Sequence, residues 1–315
     1  MLALAEAVGL PFETKRLEYN RLRHLGPRLL GASLASLTAC SRRALLAEPP
    51  PDLTISAGHR SVAVVRALRQ RSGGRTRSIH VGFPRVSPGC FDLVIATPQY
   101  PMADHPNLLR VPYALTRIAT DRADGAGDPE LQQLPKPLHL LVVGGPTVFW
   151  KLDDKLLLET LSTMLGEAAD QGGSVVVTTS PRTPPSVREA MATALRASST
   201  PSLLATPGKP PRYASLLEAA DSIRVTADSV AMASDAIWTA KPMALVPVTR
   251  SVPARIGMAL MDSLRGGLYP QDLRRFWRGL AQLGVSEHLA VPCTSTRAQM
   301  RAILDRVKPI LDQVA

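Results

Sequence analysis

The chain has 315 residues, 45% of them hydrophobic and 20% charged, with a formal net charge of +11 and 28 prolines that are scattered rather than repeated. This composition excludes a disordered chain and a collagen-like or low-complexity repeat. No apolar run approaches the ~18 residues of a spanning helix. Cys40, Cys90 and Cys293 are far apart and odd in number. Neither a disulfide framework nor a paired zinc spacing is read from them, and a reducing compartment is expected.

From the start, a helix is predicted over 1–8, closed by Gly9, followed by a short strand over 11–17. Leu29–Ala39 is uncharged and mostly apolar, with Arg21, Arg23 and Arg28 before it and Arg42 and Arg43 after. It reads as a buried core helix, or alternatively as a helix lying on an anionic bilayer. A strand over 53–57, a helix over 61–71 ended by Gly73–Gly74, and strands over 78–81 and 92–97 follow. Glycine, proline and acid replace apolar periodicity over 122–137, the expected linker. Beyond it come strands over 138–143, 174–179, 202–205, 223–226 and 243–247. Helices over 153–170, 185–197, 213–220 and 229–240 alternate with them, and an amphipathic helix over 297–314 ends the chain.

Such alternation predicts an α/β protein with two Rossmann-like doubly wound parallel-sheet domains facing a cleft. The expected domains are 1–121 and 138–294, with a C-terminal helix in 295–315. A doubly wound domain ordinarily opens with strand and tight turn, whereas this chain opens with a helix. The first domain is therefore expected to lack its opening strand.

Charge is uneven: 16 basic against 8 acidic residues over 1–121, and 21 against 18 over 122–315. The excess favours an anionic partner, either nucleotide phosphates or an acidic membrane surface, although arginine-rich codon usage produces it equally well. Aromatic residues are 4% of the chain, and no basic run is interleaved with them, so no nucleic-acid partner is expected. Met1–Gly9 lacks a basic opening, and Glu6, Glu13 and Glu18 argue against a targeting peptide. The expected location is cytoplasmic, with peripheral attachment at the inner face of the membrane as the alternative.

The sharpest motif runs from Thr226 through Asp228 and Ser229 into an alanine-rich helix. Asp228 or Ser229 suits the N-cap, and the free N–H groups behind it suit a phosphate. Asp235, two turns on, is placed to accept from ribose hydroxyls; a capped helix with a solvated Asp235 explains the same residues. Gly144–Gly145 follows a buried strand and allows close backbone approach, though Pro146 excludes a dinucleotide fingerprint. Thr179, Ser180 and Arg182 lie at another strand end. Three polar strand ends on one carboxyl edge make a stronger case than any one, because ligands bind at that edge. In the first half, Gly58, His59 and Arg60 join strand to helix, with His59 the candidate acid or base and Gly58 and Arg60 facing phosphate or acceptor. Asp104 and His105 stand on a proline-bracketed loop that is either on the acceptor side or only a loop. No metal site is expected, and no nucleophile elbow, Walker loop or His-Glu-x-x-His motif occurs.

Asp52–Arg60, Phe91–Ala96, Leu141–Pro146, Thr178–Thr183 and Val225–Met232 together resemble the mitochondrial fission Elm family, in the same order over about residues 1–250. Its bacterial members are often labelled nucleoside-diphosphate-sugar epimerases. The resemblance implies the GT-B glycosyltransferase architecture. It also implies a nucleotide-sugar donor of the uridine diphosphate type, with no tightly bound cofactor. Gly144, Gly145, Thr179, Ser180, Thr226, Asp228, Ser229 and Asp235 would then line the donor pocket. Family members commonly carry glutamate where Asp235 stands. Plant members act as recruiting factors at the mitochondrial surface, so three functions stay open: glycosyl transfer, recruitment of a membrane or protein partner without catalysis, and epimerisation.

Overall fold

Most strands of this chain are short and rich in valine, leucine and isoleucine, the pattern of strands covered on both faces of a parallel sheet. A computed structural model describes residues 1–117, 128–147, 149–206, 208–209, 212–251 and 271–314. The chain divides into two compact units. The first comprises residues 1–115, 269–272 and 295–315, and the second 116–268 and 273–294.

The first unit opens with α1 (Leu2–Val8), closed by Gly9 in the left-handed conformation. A 3-10 turn (Arg21–His24), α2 (Pro27–Leu30) and α3 (Ala39–Ala47) precede β1 (Leu53–Ala57), α4 (Ser61–Arg71), β2 (Arg77–Val81), β3 (Leu93–Ala96) and β4 (Leu108–Arg110). The four strands are parallel in the order β1-β2-β3-β4. Helix α4 is wedged in by two apolar faces: Val62 and Val65 pack with Phe91 and Val94, while Val64 and Leu68 pack with Leu37.

The second unit contains α5 (Pro129–Gln132), β5 (Leu138–Val143), β6 (Trp150–Lys151), α6 (Asp154–Gln171), β7 (Ser174–Thr179), α7 (Pro185–Ala197), β8 (Ser202–Ala205) and α8 (Tyr213–Ala219). It continues with β9 (Ser222–Thr226), α9 (Val230–Trp238), β10 (Met243–Val246), β11 (Thr249–Arg250) and α10 (Leu273–Gln282). Its sheet runs β10-β9-β5-β7-β8, all parallel, while β6 and β11 form a small antiparallel ribbon. Strand order therefore reverses between β5 and β9. Every residue of β5 and β7 is buried, and Leu157, Leu161 and Met164 of α6 seal one face against Val175 and Val177. Asp153 caps α6 at one end and left-handed Gly172 closes it at the other.

The final helix, α11 (Thr296–Leu311), returns to the first unit. Ile303, Val307 and Ile310 share a core with Leu4, Ile79, Leu93 and Ile95. Fully burying side chains of this size is worth about 1.5–3 kcal/mol each.

The structure corrects several expectations. No strand forms over 11–17; the chain there is exposed through residue 16, and it is tied down by the Lys15–Glu48 ion pair, by Leu17 against Leu37 and by a Tyr19–Leu37 bridge just beyond. An extended run with no strand beside it has no ladder to join. Leu29–Ala39 is not a core helix: α2 stops at Leu30, Gly31 follows at φ 61°, and Leu29 is 79% exposed. Of the expected linker, residues 122–127 lie outside the described residues. Residues 128–137 pack into the second unit through buried Leu131 and through Pro135 and Pro137 carbonyls that accept from Ser174. Strand β4, the β6–β11 ribbon and α10 are additions to the predicted elements. Among the described residues, no helix is long and apolar enough to cross a membrane.

Candidate functional site

The carboxyl edge of the second sheet carries a dense polar cluster at the point where strand order reverses, the usual place for a ligand crevice in open α/β sheets. At the end of β9, Thr226 is buried. Its Oγ1 accepts from the Gly144 N–H at 2.7 Å and donates to the Asp228 carboxylate at 2.6 Å. The Asp228 side chain, 1% exposed, also accepts from the Gly145 N–H at 3.0 Å and from the Arg182 guanidinium at 3.4 Å. Arg182 reaches the Gly145 carbonyl as well. Thr183, also buried, donates to the Val143 and Gly144 carbonyls and accepts from the Ser180 N–H. The Ser180 hydroxyl accepts from the Arg182 N–H. Thr179 is buried in the last position of β7. The ends of β5, β7 and β9 are thus one fastened unit.

This geometry explains the two glycines. A Cβ on Gly144 would stand 2.2 Å from the Asp228 carboxylate, and one on Gly145 would stand 2.4 Å from the Arg182 carbonyl oxygen. What approaches these glycines is the chain's own Asp228 and Arg182, and both glycine amides are already spent on Thr226 and Asp228.

Ser229, not Asp228, caps α9. Its hydroxyl accepts from the Met232 N–H. The N–H groups of Val230 and Ala231 have no acceptor among the described residues, and they open a helix whose positive end faces the same strand ends. The half-exposed Arg182 guanidinium is held by Asp228, the residue before the Ser229 cap.

Asp235 is not solvated. Its carboxyl accepts from the Thr116 hydroxyl, and burial pushes it up to about 6 against the pull of that bond. The Tyr213 phenol lies buried beside it with no well-aligned partner, and burial next to Asp235 raises its pKa. Trp277 of α10 donates to the Ala227 carbonyl at 2.9 Å and packs edge-on against Trp150 at 4.7 Å. The sequence pattern does not single out Thr116 or Trp277, and it carries Thr183 only as the end of the polar run Thr178–Thr183. Two of only three tryptophans meeting beside the cluster was the available signal.

In the first unit, Gly58 (φ 77°), His59 and Arg60 follow β1 at its carboxyl edge. Arg60 occupies the N-cap of α4 without a side-chain cap bond. His59 is driven toward its neutral form by burial and by the charges of Arg85 and Arg60. No hydrogen bond among the described residues orients its ring. Behind it, His80 is fully buried, shares a 2.9 Å hydrogen bond with Ser56, and is pushed down to about 4 by burial. His105 does not join this group. It accepts from the Asn107 N–H and lies against Gly89, residues that precede β4 and β3 at the amino edge. The Asp104 side chain is 97% exposed and pairs with Arg110. Among the described residues, no three His, Cys, Asp or Glu side chains gather as a metal site.

A family model described as Mitochondrial fission ELM1 matches residues 1–266. The chain belongs to that family. The Mitochondrial fission protein ELM1 of Arabidopsis thaliana is 26% identical over 226 residues, covering 62% of this chain and 51% of the plant protein. The chain therefore spans about half the length of that curated relative. Among solved structures, the UDP-GlcNAc 2-epimerase of Methanocaldococcus jannaschii is similar with a TM-score of 0.52 and 11% identity, covering 96% of this chain and 88% of the other. The S. aureus MnaA–UDP co-structure is similar with a TM-score of 0.51 and 10% identity, covering 99% and 87%. These likenesses show the fold: this ELM1-family chain is a GT-B-like α/β protein with two Rossmann-like parallel-sheet units.

Proposed function

We propose that this ELM1-family protein binds a nucleotide-sugar, of the uridine diphosphate type, at the carboxyl edge of its second sheet and uses it as a glycosyl donor. The observation that carries this reading is the start of α9. Two backbone N–H groups, on Val230 and Ala231, have no acceptor among the described residues, at a strand-order reversal where the Arg182 guanidinium is held by Asp228, one residue before the Ser229 cap. Pyrophosphate would take those donors and the Ser229 hydroxyl. Gly144, Gly145, Thr179, Ser180, Thr226 and Asp228 would act as the frame beneath it. In transfer, the acceptor oxygen bonds to the anomeric carbon, uridine diphosphate leaves with the bonding pair, and the acceptor's proton goes to a base. His59, held neutral, is the first unit's candidate acid–base residue, with Gly58 and Arg60 on either side of it in the chain. The exposed Asp104–Arg110 pair takes no part. Asp235 would meet the ribose only by giving up Thr116.

That last point favours a second reading, a binding protein without turnover, because the expected ribose acceptor is already engaged and nothing orients the His59 ring. Calorimetry with uridine diphosphate tests the binding step. Val230→Pro removes one N–H where the first turn tolerates proline and where the extended backbone of Ser229 suits a following proline. The expected result is binding by the native chain and a loss of about tenfold or more in the variant, the worth of one charge-assisted hydrogen bond, at unchanged melting temperature. Absence of binding, or an indifferent Val230→Pro, would end the proposal. Release of uridine diphosphate in the presence of acceptor separates transfer from mere binding.

A further inference from the structure

Of nine exposed large hydrophobic side chains among the described residues, seven fall between Met1 and Leu46. Three of them, Leu22 (43% exposed), Leu25 (42%) and Leu29 (79%), lie within ten residues on the 3-10 turn and α2. The same ten residues carry Arg21, Arg23 and Arg28, all exposed. From Tyr19 to Ala47 the sequence holds five arginines and no acidic residue. Among the described residues none of the five makes an ion pair; Glu18 stands immediately before this stretch, and the flanking Glu13 and Glu48 are tied to Lys15 at 2.6 Å. The backbone under this surface is pinned. The Asn20 side chain donates to the Ala35 and Leu37 carbonyls, Arg66 donates to that of Gly31, and Pro27 is buried. The leucines are therefore held outward on a fixed base rather than waiting to fold inward.

We propose that residues 21–30 form a docking surface for an anionic lipid bilayer. Leu22, Leu25 and Leu29 enter the boundary between headgroups and acyl chains, and Arg21, Arg23 and Arg28 meet lipid phosphates, with Arg42 and Arg43 adding to the attraction. The chemistry selects this occupant. Unpaired arginines want anions, and leucines held in water beside them want hydrocarbon within a few ångströms of those anions, a combination found at a bilayer interface. A nucleic-acid backbone would satisfy the arginines and leave the leucines wet, and the ten residues hold no Phe, Tyr or Trp for stacking a base. The proposal stands independently of the nucleotide reading.

The test is co-sedimentation of the full chain with phosphatidylcholine vesicles, with and without phosphatidylglycerol. Binding is expected to be at least tenfold tighter to the anionic vesicles, since each arginine near such a surface is worth about fivefold, and to weaken as salt is raised. The Leu22→Ser/Leu25→Ser/Leu29→Ser variant changes only exposed side chains, so it should keep its circular dichroism and melting temperature while losing about tenfold or more in vesicle affinity. A Leu289→Ser/Val291→Ser control, which alters exposed apolar residues of the second unit, should bind like the native chain. Equal binding to neutral and anionic vesicles, or an indifferent triple-leucine variant, would overturn the proposal. So would retention on a single-stranded RNA oligonucleotide that needs the arginines but not the leucines, which would mark a nucleic-acid surface instead.

Discussion

The carboxyl edges of the two sheets are built on opposite plans. On the second, polar groups consume one another: Asp228 is sealed by the Gly145 N–H, the Thr226 hydroxyl and the Arg182 guanidinium, Thr226 takes the Gly144 N–H, and the first amides of α9 are left open among the described residues. On the first, charge is left over. Arg60 and Arg85 bear on His59 with the same sign, and Arg60 caps a helix start that already carries a partial positive charge. One edge is a finished socket with a small opening, and the other is a cationic rim. An edge whose donors are mutually satisfied costs little to hold rigid, whereas one with unbalanced charge is stabilised by an anion that arrives from outside.

The sharpest way to break this contrast is to crowd the socket. Gly145→Ala should be the most damaging single change, because its new methyl group meets the main chain of Arg182, which cannot step aside. We expect a loss of about 3 kcal/mol in urea unfolding, against about 1–2 kcal/mol for Gly58→Ser at the first edge, where a Cβ has open space and only the left-handed backbone resists. Next, Asp228→Ala should cost about 2 kcal/mol by stranding the Gly145 N–H and the Thr226 hydroxyl in a buried place. Asp228→Asn keeps an acceptor for Thr226 and should cost less than half as much. If the two variants unfold alike, charge rather than hydrogen bonding holds the loops.

A smaller and subtler separation comes from pH. The folded pKa of His80 is depressed to about 4, so its burial costs nothing above about 6.5. Stability is then lost as pH falls from there toward 4, because the unfolded chain takes up the proton first. Asp235 has the opposite sign. Raised to about 6, it favours the folded state while protonated and loses stability as pH rises from about 3.8 through 6. Thus His80→Leu should flatten the acid limb of a stability–pH curve by close to one proton, while Asp235→Asn should steepen it. Identical slopes for both variants would show that neither group titrates as its burial demands.

Much of the second unit was legible because β5, β7, β8 and β10 are mostly apolar runs bounded by glycine, proline or a cap. The limits of β5, β7, α7 and β8 follow from those signals. Helix α10 carried a readable signal too, with Leu273, Phe276, Trp277 and Leu280 at the spacing of one helical face. The short β4 and the β6–β11 ribbon have too few residues for any period to show. In the candidate site, the strand ends were legible as places but not as partners. Gly144 meets Thr226 across 82 residues and Asp235 meets Thr116 across 119, and no local pattern encodes such a meeting. The glycines show the same limit: their need for space is visible in the sequence, but the group that fills the space is not. Leu29–Ala39 misleads for a related reason. An uncharged run suggests burial, yet Gly31 ends the helix early and leaves Leu29 in water.

The return of α11 to the first unit has a consequence for how the molecule is made. A ribosome releases α1 and β1–β4 long before Ile303, Val307 and Ile310 exist, so the core those residues share with Leu4 and Ile79 stays unfinished while the whole second unit emerges and is free to fold. A nascent chain stalled just short of residue 295 should therefore present a protease-resistant second unit attached to a first unit that is still being cut.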